Sequence, residues 1–274
     1  MSVDVPVLAV LGRKHSGKTT VVEGLVSELV KRGLRVATVK HVSRSGFSMD
    51  AEGKDTWRHS AAGANPVMLV SDVEVTVKIR DGASATLGTL TKIAEENGAE
   101  AVVVEGHSFV VLKDARAAKI VCVRNKQEYD EYKEGAVGEV LAYCSTQPID
   151  EQVLDTKDGL PVMLEKAAAF IEKSRKIVEI QKQLYGLDCQ KCGKASCWEL
   201  AEAVYGGEAE LEQCVPLKAK RELKATIIVD GAEVPVQPFV AEIVRKTVLA
   251  MISTLKGVNI TGKEQTQIKI THTD

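Results

Sequence analysis

Gly12-Arg13-Lys14-His15-Ser16-Gly17-Lys18-Thr19 is the stretch on which the reading of the chain turns. It satisfies G-x-x-x-x-G-K-[ST] at every position, and its surroundings are those the motif requires. Before it runs an apolar segment, VDVPVLAVL at 3–11, of the kind that fills a parallel strand covered on both faces. After it, Thr20 leads into Val21, Val22, Leu25, Val26, Leu29 and Val30, which recur at helical spacing until Lys31-Arg32-Gly33 stops them. A loop between such a strand and such a helix turns successive main-chain N–H groups toward an anion, and the helix start adds its positive dipole end. Lys18 is expected to reach the β- and γ-phosphates of a nucleotide, and the Thr19 hydroxyl to meet Mg²⁺. The intervening Arg13, Lys14, His15 and Ser16 belong to the loop, His15 as a packing or loop residue rather than a metal ligand.

Outward from the loop, strand-like and helix-like segments alternate. Arg35–Lys40 and Ala101–Glu105 read as strands, as do Lys119–Val123 and Val140–Tyr143, with a helix over 84–97. Two short runs, Val67–Val70 and Val73–Ile79, are also strand-like. This alternation predicts a three-layer α/β domain with a mainly parallel sheet, of the P-loop NTPase kind. A magnesium site takes a second carboxylate from a neighbouring strand end, and Glu105 in VVVEGH stands where one is needed. An ordinary strand-end charge is the plainer reading of the same residue. Asn125-Lys126-Gln127-Glu128, after KIVCV, resembles the N-K-x-D element by which GTP-binding proteins read guanine, with Glu in place of Asp. A polar surface turn accounts for these residues equally well.

The whole chain excludes several functions. Its 274 residues are enough for two domains. Lys plus Arg number 36 against 38 Asp plus Glu, a net charge of −2, so no general pull toward nucleic acid or an anionic membrane exists. Aromatics at 4% give no stacking platform for single-stranded nucleic acid. The first residues lack the basic start and cleavage site of a signal peptide, and no apolar run is long enough to span a membrane. A cytoplasmic location is therefore expected, where thiols stay reduced.

The segment from Lys40 to Ala64 carries a more specific signal. The succession G-x4-GKTT, RGLRVATVKH, Asp50, Gly53-Lys54-Asp55-Thr56-x-Arg58-His59 and Ala62-Gly63-Ala64, with Glu105-Gly106 after an apolar strand, resembles the MobB family. These are accessory P-loop proteins of molybdopterin guanine dinucleotide biosynthesis, and the likeness covers roughly residues 5–170. The resemblance implies a GTP-binding protein, usually a homodimer, that hydrolyses GTP slowly at most. Its implied partner is the guanylyltransferase, or another molybdoenzyme maturation protein. It places Lys40, His41, Asp50, Asp55 and Arg58 at the nucleotide or pterin-phosphate site. Lys40 and Arg58 would neutralise phosphate oxygens, and Asp50 or Asp55 would hold Mg²⁺. A solvated charged loop is the alternative account of this segment.

Six cysteines are present, and four cluster: Cys189-x2-Cys192-x4-Cys197-x16-Cys214. In a reducing compartment such a set points to metal rather than disulfides. Zinc sites pair two C-x2-C knuckles, whereas this chain has one. Three near cysteines and one distant cysteine suit the corners of a 4Fe-4S cluster, which is the favoured reading over zinc. The stretch is similar to the small 4Fe-4S domain of Rnf complex B subunits and of corrinoid iron–sulfur proteins. Simple members of the MobB family lack it. That departure opens a second reading, a nucleotide-gated redox or metallocluster maturation protein. Cys122 and Cys144 read as small core residues.

The remaining expectations concern domain limits. Residues 1–174 form the nucleotide-binding domain, 175–218 a small helical iron–sulfur domain, and 219–274 an α+β module. In the last, a hairpin turns at Asp230-Gly231, a helix covers 239–255 and a final strand lies at 267–271.

Overall fold

The computed structural model describes residues 5–258 apart from 45, 81, 83–84, 221–224 and 230–231. The chain forms two compact units, Met1–Val178 and Glu179–Asp274.

The first unit is built on six parallel strands. They are β1 (Val7–Leu11), β2 (Val36–Lys40), β5 (Ala101–Glu105), β6 (Ala117–Cys122), β7 (Val140–Ser145) and β8 (Val153–Asp155), lying in the order β2-β5-β1-β6-β7-β8. Strands β1, β5 and β6 are buried along nearly their whole length, which explains their continuous apolar sequences. Side-chain alternation divides the core in two. On one face Leu8, Val10, Val103, Ile120 and Cys122 meet Leu25 and Leu29 of helix α1 (Lys18–Lys31) and Met163 and Ile171 of helix α6 (Leu160–Gln183). On the other face Val7, Ala9, Val102, Val104 and Val121 meet helices α3 (Leu87–Glu96), α4 (Ser108–Val111) and α5 (Lys126–Gly135). The result is the expected three-layer α/β architecture.

Near the N-terminal edge of β6, Lys119 is wholly buried yet charged. Its ammonium donates to the carbonyls of Asp114, Ala117 and Val137, so all three of its donors have acceptors. Lys119 thereby ties the β6–β7 connection to the sheet, and burial pushes its pKa down.

Between β2 and α3 lies an excursion from the sheet. It contains helix α2 (Asp55–Ala61) and a separate antiparallel hairpin of β3 (Val67–Val70) and β4 (Val75–Lys78). The sequence reading named no helix between Lys40 and Ala64, so α2 is a correction. Its seven residues are too few to show a full apolar period, and its N-cap, Lys54, makes no side-chain cap. The edge strand β8 is absent from the strands read in the sequence, because three residues cannot display alternation.

The second unit is mostly helical. Helix α7 (Cys197–Tyr205) leads through a 3-10 turn at Leu211–Gln213 into α8 (Val215–Lys220). A short hairpin of β9 (Ile227–Val229) and β10 (Ala232–Val234) precedes α9 (Pro238–Ser253). Tyr185 ties the start of this unit to the segment after β10, its hydroxyl donating to the Val236 carbonyl at 2.9 Å. The expected Asp230-Gly231 turn and terminal strand at 267–271 lie outside the described residues. Among the described residues, no helix is long and apolar enough to cross a membrane.

Candidate functional site

The loop after β1 is shaped by two glycines. At Gly12, φ is +140° and a Cβ would stand 2.2 Å from the Cys122 carbonyl oxygen and 2.6 Å from Ser16 Oγ. No side chain fits there. Gly17, at φ +92°, caps α1, and methyls of Thr156 and Thr146 would lie 3.3 and 3.5 Å from its Cβ. Helix α1 starts with no side-chain cap and no acidic residue in its first turn. Its first N–H groups and its dipole are thus left to an anion. The Ser16 hydroxyl is buried and without a hydrogen-bond partner, a group that an arriving oxygen could satisfy.

Lys18 folds over this loop, Nζ donating to the Arg13 carbonyl at 2.6 Å. Partial burial pushes its pKa below the ordinary lysine value, with charge on Glu105 acting in the opposite direction. Exposed Thr20 continues the first turn of α1 beside Thr19. His15 is exposed with a left-handed backbone, so it holds a loop conformation rather than a packed position.

Three strand ends meet beside the loop. The register pairs Lys40 of β2 and Val10 of β1 with Glu105 of β5. Glu105 Oε1 accepts from Lys40 Nζ at 2.6 Å and from Thr19 Oγ1 at 3.3 Å. Hydroxyl and carboxylate are oxygen donors of the kind that hard cations take. Next to them His41 and His107 stack, ring centroids 4.6 Å apart. Burial, and then the neighbouring His41, hold the His107 pKa below its usual value. His107 was missed in the sequence reading, although its place two residues after Glu105 was visible.

On the opposite side, Glu128 organises the loop. It is buried, accepts from the Arg124 backbone N–H and guanidinium, and lies 3.6 Å from Arg13 Nε. Arg13 also pairs with Glu131 at 2.9 Å, and Arg124 reaches the Lys14 carbonyl at 3.5 Å. The N-K-x-D-like element therefore has other work. Asn125 is the N-cap of α5, its Oδ1 accepting from Glu128 N at 2.9 Å. Lys126 pairs with Asp150 at 2.8 Å and stands over the Tyr129 ring. In this structure Glu128 is thus buried and held by two arginines, with Asn125 engaged at the start of α5 and Lys126 with Asp150.

Asp50, Asp55 and Arg58 lie on the excursion. Asp50 accepts from Thr56 at 2.8 Å and Lys78 at 2.7 Å. Asp55 and Arg58 are exposed and 4.0 Å apart. Among the described residues none of the three bonds to Gly12–Thr20, so the structure does not bring Asp50 and Asp55 to Thr19.

Cys122 and Cys144 sit in the core at the ends of β6 and β7, Sγ atoms 3.5 Å apart. In the second unit Cys189 and Cys192 are half-buried, Cys197 and Cys214 buried, and all four are free thiols. Left-handed residues Asp188, Gln190 and Gly193 (φ 44°, 58° and 82°) wind the chain tightly around the first two. Cys197 opens α7. Its N–H donates to Asp188 Oδ1 at 2.6 Å, and Ser196 caps the helix through Glu199 N. Among the described residues no three His, Cys, Asp or Glu side chains converge as ligands of a single ion would. Four soft thiols are the donor set that an iron–sulfur cluster takes, and the Asp188 carboxylate stands beside one of them, Cys197.

Known proteins resemble both parts of the chain. A family model described as "Molybdopterin guanine dinucleotide synthesis protein B" (MobB) matches residues 7–145. A second, described as "Putative Fe-S cluster", matches 184–216. The chain is 31% identical over 253 residues to a protein of Methanocaldococcus jannaschii named as a "putative molybdopterin-guanine dinucleotide biosynthesis adapter protein", covering 92% of this chain and 93% of that one. It is 33% identical to the corresponding adapter protein of Haemophilus influenzae over 57% of this chain and 84% of that one. Among solved structures, Bacillus subtilis MobB aligns at a TM-score of 0.49 and 22% identity, over 60% of this chain and 97% of that one.

Proposed function

The chain belongs to the MobB family of molybdopterin guanine dinucleotide biosynthesis proteins, with an Fe-S cluster domain joined to it, and we propose that it acts there as a GTP-binding adapter. The observation that carries this reading is the meeting of Thr19, Lys40 and Glu105 beside an uncapped helix start and an unpartnered Ser16 hydroxyl. The main-chain N–H groups of Gly12–Thr20 would hold the phosphates of GTP, and Lys18 would leave the Arg13 carbonyl for them. Thr19 and Glu105 would hold Mg²⁺, whose charge offsets that of the phosphates, and Lys40 would move from Glu105 to a phosphate oxygen. The Glu105 carboxylate is engaged by Lys40 and Thr19, which is in keeping with slow or absent hydrolysis. Arg58 and Asp55, exposed on α2, are groups a partner would meet.

The hairpin supports a homodimer. Its register puts Met68 opposite Val77 and Val70 opposite Val75, so four large apolar side chains share one face, all half or more exposed. A second copy of the chain would cover them. Cys189, Cys192, Cys197 and Cys214 would hold a 4Fe-4S cluster, which supplies one-electron chemistry, and a thiolate-held cluster fits the reducing cytoplasm. The cluster domain favours the second reading, in which nucleotide binding gates a redox or maturation step.

The test is reconstitution. Purified chain with GTP, added to a guanylyltransferase and molybdopterin, should raise the yield of dinucleotide, and the Lys18→Ala variant should not. Equal yields with and without the chain would refute the adapter role.

A further inference from the structure

Cys122 is the last residue of β6, Cys144 is the last but one of β7, and the parallel register sets them directly opposite each other. Neighbouring strands stand about 4.8 Å apart, inside the roughly 4.4–6.8 Å between α-carbons that a disulfide spans. Both side chains are wholly buried, and their Sγ atoms are 3.5 Å apart. A Cys144 thiolate accepts a hydrogen bond from the Cys122 thiol, which holds the Cys144 pKa below the ordinary cysteine value. The same bond, and then burial, push Cys122 up. Cys144 is therefore the sulfur that attacks first.

The pair lies directly under the phosphate loop. Gly12 packs so closely on Cys122 that a Cβ there would stand 2.2 Å from the Cys122 carbonyl oxygen. The next N–H, of Val123, donates to the Cys144 carbonyl at 2.8 Å. Gly17 lies against Thr146, two residues past Cys144, whose methyl would be 3.5 Å from a Cβ. Both glycines of the loop thus rest on the chain around the two sulfurs. Sulfurs joined covalently sit closer than two thiols in contact. Joining them draws the ends of β6 and β7 together and shifts the Cys122 carbonyl on which Gly12 rests.

We propose that Cys122 and Cys144 are a site of reversible oxidation, which a peroxide converts to a disulfide, and that the disulfide closes the phosphate loop to its ligand. The Cys144 thiolate attacks one peroxide oxygen. The O–O bond breaks, a sulfenic acid forms, and the released hydroxide takes up the proton that Cys144 gave up, as water. The Cys122 sulfur then attacks the Cys144 sulfur. The S–S bond forms, the S–O bond breaks, and the leaving hydroxide takes the Cys122 proton as a second water. The two thiols lose two electrons and the peroxide gains them. Hydrogen peroxide is small enough to reach the pair when the strand ends open locally. The cross-link stands by itself, and its consequence rests on the nucleotide-binding reading above.

Full-length protein is treated with hydrogen peroxide, alkylated in urea without reduction, and digested with trypsin. Cys122 falls in peptide 120–124 and Cys144 in peptide 134–157, so the cross-link gives one linked species, lighter than their sum by two hydrogens. GTP affinity is measured before oxidation, after it, and after dithiothreitol. The linked peptides are expected, with affinity lower by about tenfold or more and restored by dithiothreitol. Cys144→Ala and, separately, Cys122→Ala should keep their affinity through the same treatment, which separates this pair from oxidation of Cys189, Cys192, Cys197 and Cys214. Cys122 and Cys144 recovered unlinked, or variants that lose affinity as the wild type does, overturn the proposal. Linked peptides with undiminished GTP affinity overturn the closing of the loop. Absent GTP binding in the reduced protein fails the nucleotide reading instead, and the linked peptides still decide the oxidation site.

Discussion

Lys40 Nζ lies 2.6 Å from Glu105 Oε1, and the Thr19 hydroxyl shares that oxygen at 3.3 Å. Adjacent parallel strands set the first distance and the start of α1 sets the second, so the sheet itself assembles the pair that a magnesium ion would occupy. Glu105→Gln keeps the shape and removes the charge. A charge-assisted bond of this kind contributes roughly 1.5–3 kcal/mol, so magnesium-dependent GTP affinity should fall about tenfold or more. Affinity without magnesium should stay level. A fall of equal size under both conditions would remove Glu105 from the metal site.

Gly12→Ala should abolish nucleotide binding. Its Cβ would be driven into the Cys122 carbonyl, a main-chain atom that cannot step aside. The left-handed backbone adds roughly 1–2 kcal/mol of strain. Thermal unfolding should show a lower midpoint alongside the lost binding. An unaltered midpoint with binding retained would mean that the loop has another shape.

His107 should titrate below the usual histidine value of about 6.5. Burial disfavours its imidazolium, and the stacked His41 disfavours it further. The unfolded chain therefore takes up this proton first. Acidification below about pH 6.5 should lower stability until the folded His107 titrates too. An NMR titration checks the midpoint, which should rise in His41→Ala. A midpoint unchanged by that substitution would contradict the stacked pair.

Val70→Lys on the outer hairpin face should convert dimer to monomer in sedimentation. The substitution places a charge on the proposed contact and leaves the opposite hairpin face alone. A wild-type protein that sediments as a monomer at tens of micromolar would refute this interface.

The sequence disclosed what depends on strong local chemistry. The loop at 12–19, the buried strands β1, β5 and β6, and the amphipathic helix α1 all announce themselves through residues close in the chain. Glu105 was legible because a strand-end carboxylate has a fixed place beside such a loop. Lys40 entered only through family likeness, because its partner is 65 residues away. Asn125-Lys126 could be read two ways, because four residues fit a base-reading motif and a capped helix start equally. The choice depends on Arg124 and Arg13, which claim Glu128 from both sides. The partner of Asp50 was hidden for a similar reason: Lys78, which donates to it, lies on a hairpin whose folding back no local pattern predicts.

The central claim is that the loop at Gly12–Thr19 holds GTP. Isothermal titration of the purified, cluster-loaded chain with GTP and with ATP, in magnesium, tests it most directly. One site per chain, a clear preference for GTP, and loss of the heat signal in Lys18→Ala are the predicted results. No saturable uptake of either nucleotide, or uptake that Lys18→Ala leaves intact, would contradict it.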